Sequence, residues 1–273
     1  MYVERSFAAV AAATLLVVTA AHPQEISKFP DWSGQWRRPA GLAAAWDPTK
    51  PPGLGQQAPL TPEYQAIFEA TLKDRAIGGL TGDPTALCLP HGLPRMMVAI
   101  FPVEFVITPT ITYYITDYTT PRRIFTDGRD WPKEVLPSFN GYSIGTWVDT
   151  DGDGRYDQLE VESRGFKSPR TFEGSGLPLH EDGQSVIKER IYQDKANPNL
   201  LYDEMTTTDN ALTRPWSVKK SYTRLSNVLW TENNCTEGLS DVFVGKEQYM
   251  LSGDGLLMPI KKGQPPPDLR YFK

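Results

Sequence analysis

From Val103 onward, apolar and polar residues alternate with a period of two. The runs "VEFVIT", "ITYYITDY", "RRIFT", "YSIGTWV", "YDQLEVESRGF", "SVIKERIY", "LLYDEMTTT", "WSVKKSYTRL", "VFVG" and "EQYMLS" are rich in β-branched and aromatic residues. Each predicts a strand that sets every second side chain on one face. Asp-Gly pairs at 127–128, 153–154, 182–183 and 254–255 punctuate them, and Asp-Gly suits the positive-φ turns of hairpins. Upstream the period is helical. Thr61 is placed as N-cap, Pro62 as first helical residue and Gly78-Gly79 as stop, with Tyr64, Ile67, Phe68 and Leu72 along one face, which predicts a helix over 61–77. Before it, residues 22–60 carry Trp32, Trp36 and Trp46 among many Pro and Gly. Such a stretch forms no long regular element, yet its tryptophans need cover, so it is expected to wrap on the body of the fold. Many short strands with no helices between them predict an all-β chain, an antiparallel β-barrel or sandwich, with one N-terminal helix and a Pro/Trp-rich arm. The closed barrel is the preferred form.

The first residues change the picture of where the chain works. Arg5, an apolar run from Phe7 to Val18 and the small residues Thr19, Ala20 and Ala21 have the layout of a secretory signal peptide over 1–21, too short to span a bilayer. Residues 22–273 are then expected as one exported domain, periplasmic or secreted, with no integral membrane segment. The net charge of −5 gives no electrostatic footprint for nucleic acid. In an oxidising compartment the two cysteines, Cys88 and Cys235, are expected to form a disulfide. The alternative is a zinc site in which Cys88-x-x-His91 is completed by Cys235 and His180.

One loop has the ligand spacing of a calcium site. In "DTDGDGRYDQLE" Asp149, Asp151, Asp153, the Arg155 carbonyl, Asp157 and Glu160 fall at the required positions, and Gly154 permits the sharp turn. The flanks alternate rather than repeat helically, so the loop joins two strands, and crowded carboxylates repel unless a cation compensates them. A calcium ion stapling this hairpin is one expectation; a polar hairpin tip without metal is the other.

Chemistry inside a barrel is read from polar residues in phase with apolar ones. Ile187, Glu189 and Ile191 share a face, so Glu189 is expected as a buried carboxylate, either a proton carrier or half of an internal ion pair. One of Arg122 and Arg123 points inward, as does Lys219 or Lys220, with Lys220 in phase with Trp216, Val218 and Tyr222. His180 precedes a hairpin turn, where a rim His is a natural general base. Asp209 and Tyr142 complete the candidate catalytic set of His180, Glu189, Arg122, Arg123, Asp209 and Tyr142. Trp36, Tyr113, Trp147, Trp216 and Lys220 are the candidate ligand-binding residues, suited to an apolar or aromatic small molecule. No Gly-rich phosphate loop or "HExxH" occurs, so catalysis is expected to need no organic cofactor.

Two short motifs, Gly34-x-Trp36 in "SGQW" and Thr116-Asp117-Tyr118, resemble lipocalins and the wider calycin group, which implies a barrel whose first strand holds Trp36. The proline-rich arm, the helix and the many later strands depart from that pattern. Over nearly its whole mature length the chain also resembles a group of uncharacterised exported bacterial proteins through "PRMM", "RRIFTDGR", "GYSIGTW", "VIKERIY", "TRPW" and "PPPDLRYF". This implies a bacterial, exported setting and no particular activity. Three readings follow: an exported barrel performing cofactor-free lyase, isomerase or hydrolase chemistry on a small apolar molecule, a non-catalytic carrier of such a molecule, and a structural or interaction module. A void around inward charges favours the first, an apolar void the second, a packed interior the third.

Overall fold

The computed structural model describes residues 26–39, 45–80, 82–98, 101–117, 119–227, 234–235, 241–245 and 247–267. The expected signal peptide, His22 and Tyr118 lie outside the described residues. Nine strands form a closed barrel in sequence order: β1 (Gln35–Arg37), β2 (Val103–Ile107), β3 (Ile111–Thr116), β4 (Arg122–Phe125), β5 (Tyr142–Val148), β6 (Gln158–Arg164), β7 (Val186–Gln193), β8 (Leu200–Thr208) and β9 (Trp216–Arg224). Closure is made by β9 on β1, with Trp36 opposite Arg224 and Arg37 opposite Thr223. A closed sheet leaves no edge for further pairing. The runs expected as two more barrel strands accordingly stand apart, as β10 (Asp241–Val244) and β11 (Glu247–Leu251), joined by β12 (Leu257–Pro259) in a separate three-stranded sheet. The barrel also departs from all-antiparallel order at one seam. There β4 and β5 run parallel, Ile124 beside Ser143, because residues 126–141 cross back before β5 begins, and a parallel neighbour requires a long crossover.

The helix, α1 (Pro62–Ala76), starts as its sequence predicts, with the Thr61 side chain accepting from the Tyr64 amide. Tyr64, Phe68 and Thr71 are its buried residues, whereas Ile67 is 45% exposed. The helix is anchored to the barrel by Thr61 N donating to Ala211 O at 2.8 Å and to the small sheet by Lys262 N donating to Ile77 O at 2.8 Å. Gly78 sits where the chain passes that sheet: its φ is +97°, and a Cβ would lie 2.2 Å from Ile260 O. Only glycine fits both conditions.

The arm explains its tryptophans by entering the barrel. Trp32 packs on the inward Phe105 and Trp147, with ring centroids 5.3 and 5.0 Å away. Trp46 packs on Trp216 and Phe172. A 3-10 turn at Arg95–Val98 adds Met96, Met97 and Val98, all buried. Tyr114 of β3 donates to Met96 O at 3.0 Å and Tyr222 of β9 to Met97 O at 2.6 Å. Met96 and Met97 therefore lie between side chains that point inward from different strands.

Candidate functional site

Strand phase alone brings charged groups into the lumen. Arg122 and Glu189 are in phase with apolar inward positions, and their side chains are 1% and 0% exposed. Their fork-to-fork contact pairs Nη1 with Oε1 at 2.9 Å and Nη2 with Oε2, the geometry that makes Arg–carboxylate pairs strong. Ser143 Oγ accepts from Arg122 Nε at 3.2 Å, Ser163 Oγ accepts from Nη2 at 2.9 Å, and the two hydroxyls meet at 2.7 Å. Burial works against the guanidinium charge, but Glu189 more than offsets it and holds Arg122 above its usual range. This arrangement is an internal lock, because both carboxylate oxygens are already engaged by the guanidinium.

Beside it stands a pair without hydrogen bonds. Asp203 of β8 and Lys220 of β9 face each other in register, both are 0% exposed, and neither the two Asp203 oxygens nor Lys220 Nζ has a hydrogen-bond partner among the described residues. Lys220 Nζ lies 3.5 Å from the centroid of the Trp46 ring. Burial, helped by Glu189, pushes the Asp203 carboxyl up to about 7 against the pull of Lys220, Arg122 and Arg38. Burial likewise brings Lys220 down to about 7, opposed by Asp203 and aided by Arg38. Arg38, also buried, donates to the carbonyls of Ala45 and Val98 at 3.3 and 3.4 Å.

The remaining expected residues do not join this cluster. Arg123 and Tyr113 point outward, their neighbours Arg122 and Tyr114 taking the inward phase. Tyr142 stacks on Phe125 at 4.9 Å and accepts from Arg129 on the outer face. Trp36, Trp147 and Trp216 are buried in the core cluster, where they pack on other side chains. Asp209 accepts from His180 N, Ala211 N and Ser185 Oγ, so it shapes a turn. His180 sits against Asp182, with Nδ1 3.0 Å from Oδ2, and its ring lies 5.2 Å from that of Tyr64. It shares no partner with Glu189. Cys88 and Cys235 are disulfide-bonded, which removes the zinc alternative. His91 is instead packed in a loop, where burial and then Arg95 bring its imidazole down to about 4.

A cleft that strand periodicity does not reveal lies outside the barrel, between α1, residues 82–87, residues 169–181 and the small sheet. It encloses about 630 Å³. Ile67, Leu80, Leu87 and Phe243 give it an apolar wall, while Tyr64, Glu63, Glu181 and Arg170 supply polar groups. Its floor is cross-linked by ion pairs. Asp83 bridges Arg75 at 3.2 Å and Arg95, and Arg95 reaches Thr171 Oγ1 at 3.3 Å. Burial alone would raise the Asp83 carboxyl, yet Arg95 overrides it and keeps the group low. Arg170 is held by Leu93 O at 2.9 Å and Ser185 Oγ at 2.6 Å, and burial lowers it to about 10.

At the hairpin tip, ligand atoms of Asp149, Asp151 and Asp153 converge within 4.8 Å of one another. Asp157 is turned to Thr150, and Lys195 Nζ lies 2.7 Å from Asp151 Oδ2 and 3.2 Å from Asp157 Oδ2. Glu160 is already within β6, opposite Arg190, and the Arg155 amide turns back to the Asp153 carboxylate. The structure thus gathers three of the six expected ligands, and a lysine supplies counter-charge to the loop. No family model, curated protein or solved structure matches this chain. Among the described residues no helix is long and apolar enough to cross a membrane.

Proposed function

We propose that this chain is an exported binding protein that carries a small, largely apolar molecule in the cleft beside α1, with the filled barrel as its scaffold. The observation that carries this reading is the cleft itself: about 630 Å³ with an apolar wall, a few convergent polar groups and an ion-paired floor, the usual anatomy of a small-molecule site. The disulfide is consistent with export. A carrier is favoured over a lyase, isomerase or hydrolase because the Glu189 carboxylate is taken up by Arg122 and His180 is turned to Asp182. It is favoured over a purely structural module because Ile67, Leu87 and Phe243 are 45%, 49% and 46% exposed around one concavity.

The test uses the environment-sensitive dye 8-anilinonaphthalene-1-sulfonate as an apolar probe. Ile67→Glu and Leu87→Glu each place on the wall a charge that repels the sulfonate, without touching the core, and each is expected to weaken dye binding by about tenfold. Dye affinity indifferent to both changes would leave the structural module as the better account.

A second reading concerns the hairpin tip, where the convergence of Asp149, Asp151 and Asp153 supports calcium binding with release of Lys195. Calcium is then expected to raise the melting temperature, chelator to reverse the rise, and Asp153→Asn to abolish it. A melting curve that ignores calcium rejects this reading.

A further inference from the structure

We propose that Trp46 and the Met96–Val98 segment form a plug held over an unsatisfied acid–base pair, Asp203 and Lys220, and that this plug withdraws most readily near neutral pH, where hydration of the pair offsets most of the packing lost. Three ionisable-group atoms, Asp203 Oδ1 and Oδ2 and Lys220 Nζ, are buried without a hydrogen-bond partner among the described residues, and a buried polar group without a partner costs free energy that water would return. The plug packs on the lysine side of the pair. Trp46 covers Lys220 at 3.5 Å, Arg38 ties Ala45 O to Val98 O, and Tyr222, on the same strand and face as Lys220, holds Met97 O.

The pH dependence follows from every charged group that faces the pair: Glu189 from β7, Arg122 from β4, and Arg38 and Asp47 from the arm. With the plug in place the carboxyl of Asp203 lies at about 7 instead of 3.8, so between those values the plugged state binds more protons than a hydrated one, and its stability falls as pH rises. Lys220 lies at about 7 instead of 10.5, so between those values the plugged state binds fewer protons, and its stability rises with pH. The two limbs meet in a minimum near neutrality. That shape is unusual, because most proteins are at their most stable there.

Amide hydrogen exchange reads the plug through Met96 N and Met97 N: their bonds to Gly92 O and Pro94 O at 2.8 and 3.0 Å lie within the segment, so its burial is what adds protection that withdrawal removes. Protection of these amides, corrected for intrinsic exchange, is expected to be lowest near neutral pH and to rise in both directions. Asp203→Asn is expected to flatten the acid limb and Lys220→Met the alkaline limb. Protection that is greatest near neutrality, or limbs that survive both substitutions, would overturn the proposal. Should either variant fail to fold, nitrogen-15 titration of the lysine amines in the wild type decides the matter. One lysine deprotonating near neutrality supports the pair; all lysines remaining charged into alkali contradicts it.

Discussion

Glu189→Ala is expected to destabilise the barrel by about 3–5 kcal/mol, measured by urea unfolding at neutral pH. The loss is large because Arg122 would remain as a guanidinium whose side chain is 1% exposed, with hydroxyls and the Met97 sulfur as its remaining hydrogen-bonding neighbours. Breaking one partner of a buried pair exposes the full desolvation penalty of the other, whereas removing both need cost little. Arg122→Ala should be comparably damaging through the stranded carboxylate. Both substitutions should act mainly on stability, and a folded Glu189→Ala protein within about 1 kcal/mol of wild type would show that water already reaches Arg122.

Removing the disulfide is the second large effect. Cys88 and Cys235 close a loop of sequence separation 147, which in the chain-entropy treatment stabilises by about 5 kcal/mol. The bond also fixes the segment after β9 against the loop that follows α1, next to the cleft wall. Cys88→Ser with Cys235→Ser is therefore expected to lower the melting temperature steeply and to weaken dye binding in the fraction that stays folded. Melting curves with and without reductant measure the first effect. A reductant-insensitive curve would mean that the Lys261–Asp74 and Lys262–Ile77 contacts already suffice to hold the small sheet.

Alternation is legible wherever inward residues are apolar. In β7 the phase of Ile187 and Ile191 places Glu189 inside, and in β9 that of Trp216, Val218 and Tyr222 places Lys220 inside. The same signal marks Asp203, in phase with Leu201 and Met205, although that residue is absent from the candidate set. Arg122 is in phase with Ile124, which settles the choice between it and Arg123. In β3 the rule inverts. Ile111, Tyr113 and Ile115 carry the more apolar phase, yet Thr112, Tyr114 and Thr116 are the buried set, and Tyr114 is the residue that binds the plug. Periodicity reports a strand's own contrast between faces and does not register a segment inserted from elsewhere. For the same reason the arm's tryptophans announce a need for cover without giving its location. The cleft leaves no local trace at all, because its walls come from α1, two loops and β10, which are distant in sequence.

The central claim is that the charges inside the barrel hold the fold while the ligand is met outside it. The most direct measurement is dye affinity, determined with the melting temperature, for the double variant Arg122→Met with Glu189→Met, which replaces the lock by apolar groups. A folded protein with wild-type affinity is expected, in contrast to Ile67→Glu, which keeps the fold and loses binding. A folded double variant that no longer binds, beside an Ile67→Glu protein that still does, would place the ligand in the lumen and contradict the claim.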